Sequence, residues 1–328
     1  MKQMKKDLNP NESITTYFAL ESMSLRKSKT KKNFLVLDLY DRTGKIKGYL
    51  WNDPEVMAAT LTEKSFIKVR GLTKMVNGAL VLEVEKIRKA EKHEIDMGDF
   101  LEVAPGGVEF WHNKLLEYFR LIHDVNCQRL FGLFIKDEGF MEQFLTSPGG
   151  VSVHHNYIGG LLEHSVNTMR LAGIIADNNP GLLDKDLLLT ASFLHDIGKT
   201  REIYWEIAKE YTTEGKLLGH ISIGAEMMEG KISQLKDFPE NLSLLFKHMI
   251  LSHHGELEYG SPVRPATPEA VALNLIENLD AKINHLYCHL GNANPENEWS
   301  HFDRILNTEI YQKRVLKSTQ KELAGKAA

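Results

Sequence analysis

The sequence predicts two folded units in series, an amino-terminal all-β barrel and a carboxy-terminal all-α domain. Three observations predict this. Apolar residues alternate with a period of two across residues 12–90, the spacing of half-buried strands. Over residues 109–318 they recur at helical spacing instead. Between the two, residues 91–108 form a linker ending in Val103-Ala104-Pro105-Gly106-Gly107, a break in composition.

The first strand is expected over residues 16–25. The next, residues 34–40, puts Leu35, Leu37 and Leu39 on one face. After the turn signal Asp41-Arg42-Thr43-Gly44, residues 45–51 turn Ile46 and Leu50 one way and Lys45, Lys47, Tyr49 and Trp51 the other. A short helix follows, with Asp53 as its N-cap and Pro54 at its first position. Strands over 66–71 and 79–84 are joined across Asn77-Gly78, a hairpin signal. Three strands, a helix and two strands is the order of an OB-fold, a small barrel that binds oligonucleotides. The run Arg26-Lys27-Ser28-Lys29-Thr30-Lys31-Lys32 falls in the loop between strands 1 and 2. Lys47, Tyr49 and Trp51 fall on strand 3. Lysines track phosphates and aromatic rings stack bases, so single-stranded RNA or DNA is the expected partner, with weak sequence preference.

In the second unit Trp111, Leu115, Leu116, Phe119 and Ile122 form a core-facing stripe. Helices are expected over 125–134, 138–145, 161–176, 184–194, 221–232, 241–251, 268–287 and 302–315, with a hairpin or irregular loop over 202–211.

The length of 328 residues and 42% apolar content suffice for two cores. A formal net charge of −4 gives no global basic field, so any nucleic-acid site is local. Cys127 and Cys288 stand far apart, which argues against a disulfide scaffold. No stretch reaches the roughly 18 apolar residues of a membrane span. A cytoplasmic protein without a membrane partner is expected.

Chemistry concentrates at Phe193-Leu194-His195-Asp196-Ile197-Gly198-Lys199, which closes an apolar helical segment. Buried charge is costly unless paired or bound to a cation, and imidazole beside carboxylate suits a divalent ion. Around it stand His164, His220, His253-His254, and Glu277 with Asp280 three residues on, on one helix face. Each alone is unremarkable; the ordered set is the signal.

This set resembles the HD-domain metal-dependent phosphohydrolase superfamily over about residues 151–290. With the preceding OB-fold and His154-His155-Asn156-Tyr157-Ile158-Gly159-Gly160, the chain resembles the YhaM-type 3′–5′ exoribonucleases over nearly its whole length. The resemblance implies an OB-fold that binds nucleic acid and an HD domain that cleaves it from the 3′ end, with manganese or cobalt favoured. It implies that His164, His195, Asp196 and an acidic residue of the 277–280 helix hold one metal. Asp196 would bridge to a second, held by His220 and by His253, His254 or both. Glu277 stands where the superfamily usually has Asp, so either Glu277 or Asp280 completes the set. Mixed His and carboxylate ligands favour manganese, iron, cobalt or zinc over magnesium alone, and two ions suit in-line hydrolysis of a phosphodiester. Lys199 would contact a phosphate oxygen. His154, His155 and Asn156 would touch the terminal nucleotide or carry a proton, and Arg201 would touch substrate. A site shielded from folded RNA is easier to build between subunits, so a homo-oligomer is expected. Two other readings fit the same motifs: an HD phosphohydrolase of a small nucleotide with a regulatory OB-fold, and a nucleic-acid-binding protein with a degraded HD site.

Overall fold

The computed structural model describes residues 3–151, 155–205, 210–291 and 293–313. They divide into two compact units, one of residues 3–102 with Trp205, the other of Val103–Tyr204 and the described part of residues 210–313.

In the first unit β1 (Ser13–Lys27), β2 (Asn33–Asp41) and β3 (Gly44–Leu50) run as an antiparallel meander. After α1 (Pro54–Thr60), β4 (Ser65–Val76) and β5 (Ala79–Lys89) form a hairpin. β3 pairs in parallel with β5, and β1 pairs with β4, closing a barrel of order β1-β2-β3-β5-β4. This is OB-fold topology. The pleat sends Phe18, Leu35, Leu37, Leu39, Ile46, Leu50, Ile67 and Leu82 into the core. The hairpin turns at Asn77 (φ 49°) and Gly78 (φ 80°), where two successive positive φ angles match the strand twist.

Three local features differ from the sequence reading. Arg26 and Lys27 pair with Phe34 and Asn33, so they end a strand and the loop shrinks to residues 28–32. Asp53 does precede α1, but its backbone is left-handed (φ 47°) and its side chain caps nothing; Pro54 alone pre-sets the first turn. Residues 91–102 pack on the barrel. Glu94 accepts from Arg88 (2.7 Å) and Tyr17 (3.1 Å), and the Phe100 ring lies 4.7 Å from Phe66.

The second unit is helical: α2 (Val108–Arg120), α3 (Val125–Ile135), α4 (Glu138–Thr146), α5 (Gly160–Asn178), α6 (Lys185–Leu194) and the single turn α7 (Lys199–Glu202). The short strands β6 (Ile203–Tyr204) and β7 (Glu210–Tyr211) pair antiparallel, as a hairpin would. α8 (Thr213–Ile232), α9 (Glu240–Ser252) and α10 (Pro268–Gly291) follow. Side chains of Asp124, Asp137, Asp184 and Thr212 cap α3, α4, α6 and α8. α6 is buried from Leu187 to Leu194. Its Phe193 stacks on Phe131 at 3.8 Å and meets Phe134 and Phe144 edge-on. No described helix is long and apolar enough to cross a membrane.

The helix expected over 302–315 is absent from its described part. Asp303 bridges to Thr308 and Trp299 to Tyr311. Asp303 Oδ1 accepts the Ile305 and Leu306 amides at 2.9 and 2.8 Å, and a short carboxylate that takes nearby amides competes with helix.

Gly71 marks a register shift where β4 crosses β5, and a Cβ there would lie 2.2 Å from the Glu83 carbonyl oxygen. Gly71→Ala should therefore destabilise the barrel by roughly 2–4 kcal/mol, read as a lower urea midpoint for the full chain. An unchanged midpoint would mean that the strands part without cost.

Candidate metal centre and nucleic-acid face

The centre is assembled from the ends of helices. His195, the C-cap of α6, and Asp196 are both buried, and α7 brings Lys199 back to them. His164 stands on the second turn of α5, fully buried. α8 is broken at Gly219 (φ 70°, ψ 152°), immediately before His220. The turn after His195-Asp196 fits against α8 only because residue 198 lacks a side chain. A Cβ on Gly198 would meet the His220 carbonyl oxygen at 2.0 Å. His253 caps α9 and His254 follows.

Every imidazole here uses one ring nitrogen outward. His195 Nδ1 donates to the Ser192 carbonyl (2.7 Å), His253 Nδ1 to Ile250 (2.7 Å) and His254 Nδ1 to Tyr259 (2.8 Å). His220 Nδ1 is held by Glu202 Oε1 (3.1 Å) and His164 Nδ1 by Asp280 Oδ2 (2.7 Å). These bonds fix one tautomer and leave the Nε2 lone pairs for the interior, the arrangement of metal-ligating histidine. His164 Nε2 and His195 Nε2 meet at 3.1 Å. Asp196 lies between two sets of rings. Its Oδ2 is 3.5 Å from His164 Nε2 and 3.4 Å from His195 Nε2; its Oδ1 is 3.5 Å from His220 Nε2 and 3.6 Å from His253 Nε2. Asp196 Oδ1, His220 Nε2 and His253 Nε2 are buried with no hydrogen-bond partner. Orphaned buried acceptors converging on one space are costly unless a cation fills it. Within each of three sets the ligand atoms lie within 4.8 Å of one another, His164/His195/Asp196, Asp196/His220/His253/His254 and His155/His164/Asp280, and Glu277 belongs to none of them. The residues fit a divalent metal.

Electrostatics agree for three of the rings; at His195 burial opposes the charge, but Asp196 outweighs it and raises the ring above its usual value while no cation is bound. Burial lowers His164 and His254 to about 4, and His253 well below its usual value, so these rings are neutral. Burial disfavours the Asp196 charge, but Lys199 Nζ at 2.6 Å, with His195, outweighs it and holds the carboxyl well below its usual range. Lys199 is thus engaged with Asp196 and 7% exposed.

α10 supplies the two acidic residues in different settings. Asp280 Oδ2 accepts from His164 and from His155 Nε2 (2.8 Å), so it orients His164 from behind. Glu277 is buried and makes no hydrogen bond among the described residues. Burial, then the Asp196 charge, push its carboxyl up to about 7. His155 is not open to a substrate: it is 1% exposed, in left-handed backbone (φ 50°), bonded to Asp280 and to the Tyr157 hydroxyl (3.0 Å). Asn156 is half-buried, and His154 lies outside the described residues. Arg201 is paired with Glu214.

Sequence reasoning missed two groups. Glu202 accepts both the backbone amide (2.9 Å) and Nδ1 of His220; on the chain it reads as one charge in a polar stretch. Glu163, next to His164, is buried and takes the Tyr157 hydroxyl (2.9 Å).

On the barrel, Lys29, Lys31 and Lys32 are exposed, and Lys47 pairs with Asp38 (2.7 Å). Tyr49 and Trp51 are half-buried on one face, where Phe34 joins them: its ring stacks on Trp51 at 4.5 Å and lies 6.2 Å from Tyr49. In the sequence Phe34 reads only as the first residue of a strand. A cavity of about 460 Å³ is lined by Lys32, Trp51, Asn52 and Glu83 among others.

Comparison with known proteins agrees with both units. An HD domain matches residues 161–282 and an OB-fold nucleic acid binding domain matches residues 21–90. The 3′–5′ exoribonuclease YhaM of Shouchella clausii is 35% identical over 274 residues, covering 83% of this chain and 85% of that protein. Its namesake from Bacillus velezensis is 35% identical over 273 residues, 83% and 86%. That of Bacillus subtilis is 34% identical over 274, again 83% and 86%.

Glu277 gives a pH test of the metal-free protein. A carboxyl raised to about 7 on folding costs stability once pH exceeds its unfolded value near 4.5, fully so above 7. Glu277→Gln should stabilise the metal-free chain by on the order of 3 kcal/mol at pH 8 and far less at pH 5. Equal effects at both pH values in chelator-treated melts would place the penalty elsewhere.

Proposed function

The chain belongs to the YhaM 3′–5′ exoribonuclease family, and on that premise we propose that it hydrolyses single-stranded RNA from the 3′ end at the metal centre of its HD domain. The observation that carries this is the pair of imidazole sets sharing the Asp196 carboxylate. His164, His195 and Asp196 would hold one divalent ion, and Asp196, His220, His253 and His254 a second, with manganese, cobalt, iron or zinc suited to the donors. Asp280 Oδ2 is committed to two histidines, so Glu277, which makes no hydrogen bond among the described residues, would complete the first set by shifting toward Asp196. When bound, such ions supply a nucleophilic water of lowered pKa and neutralise the phosphoryl oxygens.

The chain's own residues do the rest. Asp280 and Glu202 fix the tautomers of His164 and His220. His155, with Tyr157 and Glu163 behind it, holds Asp280 in place and acts as a positioning residue. Lys199 balances the buried Asp196 charge, so one carboxylate can face both sets of rings. The barrel grips the strand through the Phe34–Tyr49–Trp51 face and Lys29, Lys31 and Lys32. Stacking and phosphate contacts read no 2′-hydroxyl, so single-stranded DNA is held as well. Two weak grips on one strand reinforce each other through effective concentration. The family's substrate, RNA, supports a cytoplasmic setting.

A time course on 5′-labelled RNA and DNA strands, with manganese, magnesium or chelator, is the test. A metal-dependent ladder should shrink from the 3′ end and fall at least about a thousandfold in His195→Ala/Asp196→Ala. Label left intact under every metal would overturn the proposal. Phe34→Ala/Trp51→Ala should weaken binding of a long strand by about tenfold or more while dinucleotide hydrolysis stays unchanged; equal losses on both substrates would contradict the division of labour.

Val271, Leu275, Leu279, Ile283 and Tyr287 are exposed at four-residue steps along α10, which supports a homo-oligomer packed through this helix. Light scattering should then give a smaller mass for Leu279→Glu than for the parent chain; one shared mass counts against it.

A further inference from the structure

A second constellation lies toward the far end of α10. His285 and His289 are one helical turn apart, on one face. Asp303, 4% exposed, comes to both from the following segment. Its Oδ2 is 2.6 Å from His285 Nε2 and 3.1 Å from His289 Nδ1. Its Oδ1 is committed to the Ile305 and Leu306 amides. The three ligand atoms lie within 4.8 Å of one another.

Hydrogen-bond accounting at His289 singles this cluster out. Its Nε2 lies 3.2 Å from the His301 carbonyl oxygen. A carbonyl only accepts, so this bond is made only in the tautomer in which Nε2 carries the hydrogen. The neutral ring then presents a bare Nδ1 lone pair to a carboxylate oxygen at 3.1 Å. In that tautomer two acceptors approach each other, and a cation between them relieves the approach. Imidazole with one nitrogen on a carbonyl and the other bare is the pattern of metal-bound histidine. Two imidazoles and one carboxylate are the donor set of a borderline transition ion.

We infer that His285, His289 and Asp303 hold a divalent transition ion of the zinc type, separate from the hydrolytic centre. Ligand atoms on one such ion stand about 3.4 Å apart, so the Asp303–His285 approach opens by less than about 1 Å on binding. Water completes the coordination. The ion fastens the Trp299–Tyr311 bridge segment to α10, the helix that also carries Glu277 and Asp280. That role is structural and independent of the hydrolysis proposed above.

The test uses the full chain, stripped with chelator and reloaded with zinc. Bound metal is counted after desalting, and hydrogen exchange is followed in peptides covering residues 299–312. The parent should retain about one zinc more than His289→Gln or His285→Gln. Zinc should slow exchange in that segment at least several-fold in the parent and in His195→Ala/Asp196→Ala, but in neither of the other variants. Equal zinc in the parent and both glutamine variants, or exchange that zinc leaves unchanged in the parent, would overturn the inference and leave a proton as the charge at this junction. Circular dichroism confirms that each variant is folded; the two glutamine variants are independent, so one that unfolds leaves the other to decide.

Discussion

Asp196 is a carboxylate with 1% of its surface exposed, and the architecture of the helical unit follows from keeping it charged there. A charge so far from water is tolerated only if its neighbours replace what water supplied. Lys199 does part of this, three residues on and bonded at 2.6 Å. The remaining oxygen has no hydrogen-bond donor, and four imidazoles approach the carboxylate within 3.6 Å. A group so arranged is half of an interaction whose other half is a cation.

The supports around it are ordered by distance from that charge. Nearest are the rings. Behind the rings stand backbone carbonyls and two carboxylates, Asp280 and Glu202, that set the tautomers. Behind Asp280 comes the buried chain of His155, Tyr157 and Glu163. Close backbone approach is part of the same design. Gly198 lets the turn after Asp196 lie on α8, and Gly215 lets α8 lie on Glu202, whose carbonyl oxygen would be 2.4 Å from a Cβ at position 215. Small residues here are as much a part of the site as the histidines.

Much of this was legible in the sequence, for identifiable reasons. Strand order in the barrel follows from two-residue alternation and from Asn77-Gly78, both local signals. The histidines announced themselves because polar residues closing apolar helices have few other uses. The different settings of Glu277 and Asp280 were not legible, because they depend on which carboxylate His155 and His164 reach. Glu202 was invisible for a similar reason: its partner lies 18 residues away. Phe34 was hidden by its strand, since alternation gives a face but not a neighbour. The expected helix over 302–315 failed where Asp303 took two amides, a local bond that hydrophobic spacing does not register.

The closure of the barrel has a consequence for how its surface meets other chains. β1 is bonded on both sides, to β2 and β4, and β3 on both sides, to β2 and β5. Each strand has a neighbour on both sides for part of its length, but residues 22–27 of β1 pair with β2 alone and residues 86–89 of β5 with β4 alone, so backbone pairing with another chain is confined to such short stretches. Over the rest of the barrel, binding goes through side chains laid across a curved wall. The same closure shortens the commonest template for edge-to-edge aggregation, which suits a domain that keeps part of its aromatic face in water.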